Sequence, residues 1–194
     1  MIKSELRKTY LDRRKNLAPA DRDEKNRQIA ERFFQNFDLT EIKFLHCFLP
    51  IERTGEIDTQ IIIRKIRRDF PSIEILVPRV NFQTNEIENL KYTLAGKLKP
   101  NQWQIYEPVD DEKVEAQKVD AVLIPLLCFD RRGFRVGYGK GFYDKFLKNC
   151  RADCLKIGLS YFAPVEKIAD AQRFDVKLDF CVTPQTIISF GDKP

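Results

Sequence analysis

The sequence predicts an α/β fold built on a mainly parallel sheet, and three observations predict it. Short apolar runs at Phe44 to Leu49, Ile73 to Val77 and Ala121 to Ile124 read as buried strands, and each stops at a proline (Pro50, Pro78 and Pro125). Segments with helical spacing of apolar residues alternate with these runs, as in a sheet flanked by helices. The chain has 194 residues, 43% hydrophobic and 32% charged. Against a prior of about 150 residues per domain, that is enough for one sizeable core and little more. A single domain over residues 1–194 is therefore expected. Ligands of open parallel sheets sit beyond the carboxyl ends of the strands, so the loops after Leu49, Val77 and Ile124 should face one site.

Taken in order, Ile2 to Leu17 carries Ile2, Leu6 and Tyr10 every fourth position among charges, which predicts an amphipathic helix. A second helix should start near Pro19, where proline suits the first turn. It places Ile29, Phe33, Phe34 and Phe37 on one face. The strand from Phe44 to Leu49 delivers a polar loop, Glu52-Arg53-Thr54-Gly55-Glu56, and Asp58-Thr59 then caps a helix bearing Ile62, Ile63, Ile66 and Phe70. From Val80 to Gln117 the chain is polar and mixed, and a hairpin or covering loop is expected there. Phe142 to Leu147 has helical spacing, and Phe174 to Asp179 alternates like an edge strand, with Asp175 and Asp179 on one side.

Composition narrows the function classes. The net charge of +5 comes from 34 basic and 29 acidic residues with both signs interleaved. Such a balance suits an anionic small molecule and does not by itself imply nucleic acid. The aromatics are not set within a concentrated basic patch, as a single-strand-binding surface requires. Five cysteines (Cys47, Cys128, Cys150, Cys154 and Cys181) form an odd set without Cys-x-x-Cys spacing. They argue against a disulfide framework and for a reducing cytoplasm. The cysteines read as small apolar fillers, with an exposed thiol the alternative at Cys128, which precedes a loop. The N-terminus shows no apolar signal core, and no run approaches the roughly 18 apolar residues of a membrane span. His46 is the only histidine, so a two-histidine metal site is excluded, and it reads as a strand residue.

The densest chemical signal is Arg135-Val136-Gly137-Tyr138-Gly139-Lys140-Gly141-Phe142-Tyr143-Asp144. Glycines at alternate positions let the backbone approach a ligand, their N–H groups suit phosphate oxygens, and Lys140 adds a positive charge. The helix that follows would turn its N-terminus toward the anion. Neither Walker A nor dinucleotide-binding spacing is present. Spacing alone leaves a nucleotide loop and a glycine-rich tight turn both open. Lys3, Arg7 and Arg14 share one helical stripe, the ordinary reading of which is a solvated face. Asp144, with Asp175 or Asp179, has the donor chemistry of a Mg²⁺ site that takes one or two carboxylates plus phosphate oxygens. Trp103 stands alone in a polar stretch, as a core residue or as a stacking wall for a flat ligand.

Together these residues resemble the 5-formyltetrahydrofolate cyclo-ligase family over nearly the whole chain. The resemblance rests on Lys3-x-x-x-Arg7, on Phe48-Leu49 followed by Glu56-Ile57-Asp58-Thr59, and on Val77-Pro78-Arg79. It continues through Ile124-Pro125, Phe129-Asp130 and Gly133, the glycine block with its flanks, and Asp175-x-Lys177-x-Asp179. It implies a three-layer open, mainly parallel sheet flanked by helices, of the NagB/RpiA/CoA-transferase-like kind. The implied activity is ATP- and Mg²⁺-dependent closure of 5-formyltetrahydrofolate, including its polyglutamated forms, to 5,10-methenyltetrahydrofolate by a monomer. ATP contacts are implied for Lys3, Arg7 and the loop from Arg135 to Tyr143, with Lys140 and Arg135 neutralising charge in the transfer. Metal contacts are implied for Asp144 and Asp175, with Asp179 as a neighbour. Folate contacts are implied for Leu49, Glu56 and the loop from Tyr138 to Phe142, and Trp103 or Tyr138 would stack on the pterin. Two other readings keep part of the pattern: a sugar-phosphate or acyl-CoA enzyme on the same sheet, and a basic nucleic-acid module.

Overall fold

The computed structural model describes residues 1–81, 83–84, 86–93, 98–100, 106–109 and 112–191. Its helices and strands follow in chain order as α1 (Lys3–Lys15), α2 (Pro19–Asn36), β1 (Phe44–Cys47), α3 (Gln60–Asp69), β2 (Glu74–Asn81) and β3 (Glu86–Lys91). Next come β4 (Leu98–Pro100), β5 (Tyr106–Pro108), β6 (Lys113–Val114), β7 (Ala121–Pro125), β8 (Cys128–Phe129) and β9 (Arg135–Val136). The last are α4 (Phe142–Asn149), β10 (Leu155–Leu159), β11 (Phe180–Val182) and β12 (Ile187–Ser189). Eight strands form one sheet in the order β12-β11-β10-β7-β1-β2-β3-β6. The five from β11 to β2 are mutually parallel; β12 pairs antiparallel with β11 at one edge, and at the other β3 pairs antiparallel with β2 and β6 antiparallel with β3, so β6 runs in the direction of the five.

Both faces of this sheet are covered, which is why its strands read as continuous apolar runs. Alternate residues point to opposite faces. Leu45, Cys47, Ile75, Val77, Ala121 and Leu123 pack under α2 and α3 against Ile29, Phe33, Ile62, Ile63 and Ile66. The intervening Leu76, Val122 and Ile124 pack under α4 against Phe146 and Leu147. Three layers result, as the resemblance implies. Helix α1 lies apart, seating Leu6 and Tyr10 on Leu127, Cys128 and Val136 of the β8–β9 hairpin.

Several expectations are corrected. Pro78 does not end its strand: β2 runs on to Asn81 and pairs antiparallel with β3, Pro78 lying opposite Asn89. Its parallel pairing to β1 has ended two residues earlier, at His46 and Leu76, so the missing proline N–H interrupts no ladder on that side. Pro125 is likewise the last residue of β7 and pairs with Leu159. The alternating segment ending at Asp179 is irregular, and the strand begins only at Phe180. Cys128 is fully buried, as an apolar filler should be, and the alternative of an exposed thiol falls away. Pro19 does occupy the first turn of α2, and Asp58 Oδ1 accepts from Gln60 N at the start of α3. No helix among the described residues is long and apolar enough to cross a membrane. Trp103 lies outside the described residues.

Candidate active site

A cavity of about 760 Å³ opens where the loops after β1 and β7 meet the β2–β3 hairpin, α1 and α4. Among the described residues, seven cationic side chains and three carboxylates line it, a balance that favours an anionic ligand. Its walls differ from end to end. Phe48, Leu49, Ile51, Pro78, Val80 and Ile87 make one end apolar, with the carboxyl of Glu56 set among them; Lys3, Arg7, Lys140, Asp144, Lys145, Lys148 and Asp175 line the rest.

The glycine block forms the floor between these ends. Strand β9 brings in Arg135 and Val136, both buried, and the chain then turns through Gly137, Gly139 and Gly141. Gly139 has φ +91°, and a Cβ there would lie 3.0 Å from the guanidinium carbon of Arg7, so only glycine permits that close approach. Arg7 Nε in turn donates to the carbonyl of Gly137 at 3.0 Å, which ties α1 to the loop. Gly141, with φ +72°, is the N-cap of α4, and no side chain caps the helix. The first-turn N–H groups therefore stay available to an anion, with the positive end of the helix dipole behind them. Lys140 is exposed beside them and forms no ion pair among the described residues.

Two carboxylates sit under this loop. Asp144, in the first turn of α4, accepts through Oδ1 from Arg135 Nη2 at 2.8 Å and from Val176 N at 3.0 Å. Asp175 accepts through Oδ2 from Lys3 Nζ at 2.5 Å and from Gln172 N at 2.6 Å. The Val176 bond brings the segment of Asp175 against Asp144, and the other oxygen of each carries no hydrogen bond among the described residues. Arg135 is buried, and its guanidinium is also held by the carbonyl of Val176. Burial lowers its pKa, and the neighbouring Asp144 opposes that shift. Asp179 lies elsewhere, bonded to the backbone and the ammonium of Lys156. Because the segment is irregular, the alternation that put Asp175 and Asp179 on one side in the sequence does not hold.

At the apolar end, a hydrogen-bonded chain crosses the cavity wall. Arg14 Nη1 donates to the hydroxyl of Tyr138 at 3.0 Å, and that hydroxyl donates to Glu56 Oε1 at 2.7 Å. Glu56 Oε2 accepts from Ile51 N at 2.8 Å. Burial raises the pKa of Glu56, and the bonds from Tyr138 and Ile51 partly counter it. Arg14 also reaches the carbonyl of Leu126 and is itself buried. The stripe Lys3, Arg7, Arg14 is thus no solvated face: all three cations are spent on the site or its walls. Tyr138 has its hydroxyl fixed at Glu56, an arrangement that holds its ring through the edge it presents there.

His46 lies in β1 as expected, beneath the site. Asn89 Nδ2 donates to the carbonyl of Val114 and turns Oδ1 toward His46 Nδ1, 2.7 Å away. His46 Nδ1 therefore carries the proton, and Nε2 accepts from the hydroxyl of Tyr143 at 3.2 Å. Burial lowers the histidine pKa to about 4, so the ring is neutral and anchors the first turn of α4. The sequence reading missed Arg14 as a wall residue, the apolar panel Pro78, Val80 and Ile87, and the rim residues Lys145, Lys148 and Phe174. The arginine stripe was the one available signal; a hairpin folding over the sheet end leaves no periodic mark.

Comparison with known proteins identifies the family of the chain. A family model described as the 5-formyltetrahydrofolate cyclo-ligase family matches residues 1–184. The 5-formyltetrahydrofolate cyclo-ligase of Escherichia coli (strain K12) is 27% identical over 178 residues, covering 90% of this chain and 96% of that one. The Mus musculus protein of the same name is 32% identical over 130 residues, covering 63% of this chain and 59% of the mouse protein. The solved structure of Aquifex aeolicus 5,10-methenyltetrahydrofolate synthetase superposes with a TM-score of 0.84 at 30% identity, covering 100% of this chain and 95% of that one. With the glycine block, the paired carboxylates and the buried glutamate all in one cavity, the chain belongs to the 5-formyltetrahydrofolate cyclo-ligase family.

Proposed function

We propose that this ligase converts 5-formyltetrahydrofolate and ATP to 5,10-methenyltetrahydrofolate, ADP and phosphate, with Mg²⁺ bound at Asp144 and Asp175. The observation that carries the reading is that one cavity joins an apolar end holding a buried carboxyl to a glycine-floored cationic end. A flat, partly polar heterocycle suits the first end, and a polyphosphate suits the second.

The folate would enter between Leu49 and the β2–β3 hairpin. Glu56 then accepts from the N–H groups of the pterin, sharing its oxygens with Tyr138 or taking its place. Lys3, Arg7 and Lys140, the loop amides and the α4 N-terminus hold the phosphates. The formyl oxygen attacks the terminal phosphorus, forming an O–P bond as the bond to the ADP oxygen breaks. N10 next attacks the formyl carbon and loses its proton. The C–O bond then breaks, phosphate leaves, and the five-membered ring is closed. Such a transfer depends on alignment and charge neutralisation rather than on a nucleophilic side chain, and the cavity offers cations and amides for both.

The two carboxylates fit a divalent ion of the magnesium type, which takes few protein oxygens and fills its shell with phosphate and water. When bound, Mg²⁺ supplies neutralisation of phosphate charge. Arg135 serves by holding Asp144 in place, and Lys140 serves by meeting charge on the transferred group. The reading is tested with substrate carrying ¹⁸O in the formyl group. Recovery of the label in inorganic phosphate supports it, whereas label retained in water or folate overturns the phosphorylation step.

A further inference from the structure

Away from the cavity, two thiols stand in contact at the far end of α4. Cys150, half-buried, is the C-cap of that helix, and Cys154, buried, directly precedes β10. The carbonyl of Arg151 accepts from Cys154 N at 3.2 Å, so a four-residue turn follows Cys150. The turn folds the chain back on itself, and the two thiols share a hydrogen bond. Cys154 lies inside the apolar cluster packed against α4 and Cys150 at its edge. A disulfide spans Cα atoms about 4.4–6.8 Å apart, a separation in keeping with two hydrogen-bonded thiols across one turn. Neither cysteine lines the cavity.

The charges around the pair distinguish its two members. Lys156 Nζ donates to the carbonyl of Cys154 at 2.9 Å and to Asp179 Oδ2 at 3.0 Å, which sets an ammonium beside both sulfurs. The hydrogen bond from Cys154 lowers the Cys150 pKa, burial opposes that shift, and Lys156 adds to the lowering. Cys154 moves the other way, raised by the bond it gives to Cys150 and by burial. The thiolate is the nucleophile of sulfur chemistry, so the half-exposed Cys150 is the sulfur that reacts first. The other three cysteines are fully buried. Burial raises their thiols, to about 12 at Cys47 and Cys128 and well above the ordinary value at Cys181.

We propose that Cys150 and Cys154 are a peroxide-reactive dithiol that closes to a reversible disulfide. The Cys150 sulfur attacks one oxygen of hydrogen peroxide, an S–O bond forms as the O–O bond breaks, and the departing hydroxide takes up the thiol proton as water. Cys154 Sγ then attacks Cys150 Sγ, the S–S bond forms, the S–O bond breaks, and a second water leaves with the Cys154 proton. Two thiols are oxidised and one peroxide is reduced. A partner sulfur already in contact diverts the sulfenic acid from irreversible oxidation, and transient bridges of this kind suit a protein whose resting cysteines are free thiols.

The test exposes the folded protein to equimolar hydrogen peroxide, blocks remaining thiols with N-ethylmaleimide in denaturant, digests with trypsin and maps the peptides by mass. Trypsin cuts after Lys148, Arg151 and Lys156, so Asn149–Arg151 and Ala152–Lys156 separate unless they are bridged. The wild-type protein should yield the bridged pair, dithiothreitol should abolish it, and Cys47, Cys128 and Cys181 should be recovered blocked but unoxidised. With dimedone present, folded C154A should yield the Cys150 adduct that marks a sulfenic acid, and folded C150S should yield neither product. Separate blocked peptides from the oxidised wild type, sulfinic acid at Cys150 beside an unoxidised Cys154, or a bridge to another cysteine would each overturn the proposal. So would a dimedone adduct at Cys154 in folded C150S. The wild-type map decides the pairing by itself, whatever the variants do, and no readout depends on turnover.

Discussion

Replacing Tyr138 with phenylalanine removes one oxygen that Arg14 donates to and that itself donates to Glu56. Glu56 is then left with a single donor, Ile51 N. Arg14, whose Nε is already buried without a partner among the described residues, loses another acceptor. A hydrogen bond to a charged group contributes about 1.5–3 kcal/mol, and a neutral one about 1. Y138F should therefore lower stability through the lost Arg14 bond whether or not Glu56 is ionised, and by about 1–2 kcal/mol more while Glu56 is ionised. The sign follows from linkage. Burial raises the Glu56 pKa above its ordinary 4.5, so in the interval between the two values the folded state binds more protons than the unfolded state. Stability from this group is complete below pH 4.5 and is lost as pH rises through the folded value. Removing the tyrosine donor pushes the folded value higher and extends that loss. Urea unfolding of wild type and Y138F at pH 4.5 and pH 8 reads the difference directly, and an E56Q background should abolish its pH dependence. The same destabilisation at both pH values would refute the reasoning.

Three further outcomes are expected. K140A should cut kcat by about 10²- to 10³-fold, the scale of losing one preorganised charge at a transition state, with its urea midpoint unmoved; a shifted midpoint would show that Lys140 is structural. D144N should lose turnover at ordinary magnesium and also lose about 3–5 kcal/mol of stability, the cost of stripping a buried cation of its partner, because Arg135 is buried against it; unchanged thermal unfolding would mean that the Arg135 pair matters little. His46 is depressed from 6.5 to about 4 by burial, so its contribution is complete above pH 6.5 and lost as pH falls through 4. That span is worth about 3 kcal/mol, and H46Q should flatten the acid limb of the stability profile; an equally steep limb would contradict the assignment.

What the sequence made legible follows from what its residues do locally. Runs such as Ala121 to Ile124 are apolar on both faces, and that pattern alone announces a covered parallel strand. The helix of Ile62, Ile63 and Ile66 carries its own period and its own start at Asp58. The glycine block was legible because positive φ at Gly139 and Gly141 leaves a compositional trace. Pro78 misled because a proline is tolerated where a strand has outrun its neighbour, and the extent of β1 is a tertiary fact. Asp179 misled because alternation implies one face only if the backbone is extended there. Arg14 looked like a surface cation since its acceptors, Tyr138 and the carbonyl of Leu126, lie more than a hundred residues away in the chain. Local pattern carries strands, helices and the loop, whereas the hydrogen-bonded walls of the cavity depend on contacts that only the closed fold creates.

The central claim is that this cavity uses ATP to close the folate ring. It is tested most directly by incubating the protein with 5-formyltetrahydrofolate, with and without Mg-ATP, and following the near-ultraviolet absorbance of the methenyl product at acidic to neutral pH. The account predicts a band that grows only when Mg-ATP is present. No band from folded protein, or one that grows equally without ATP, would contradict it.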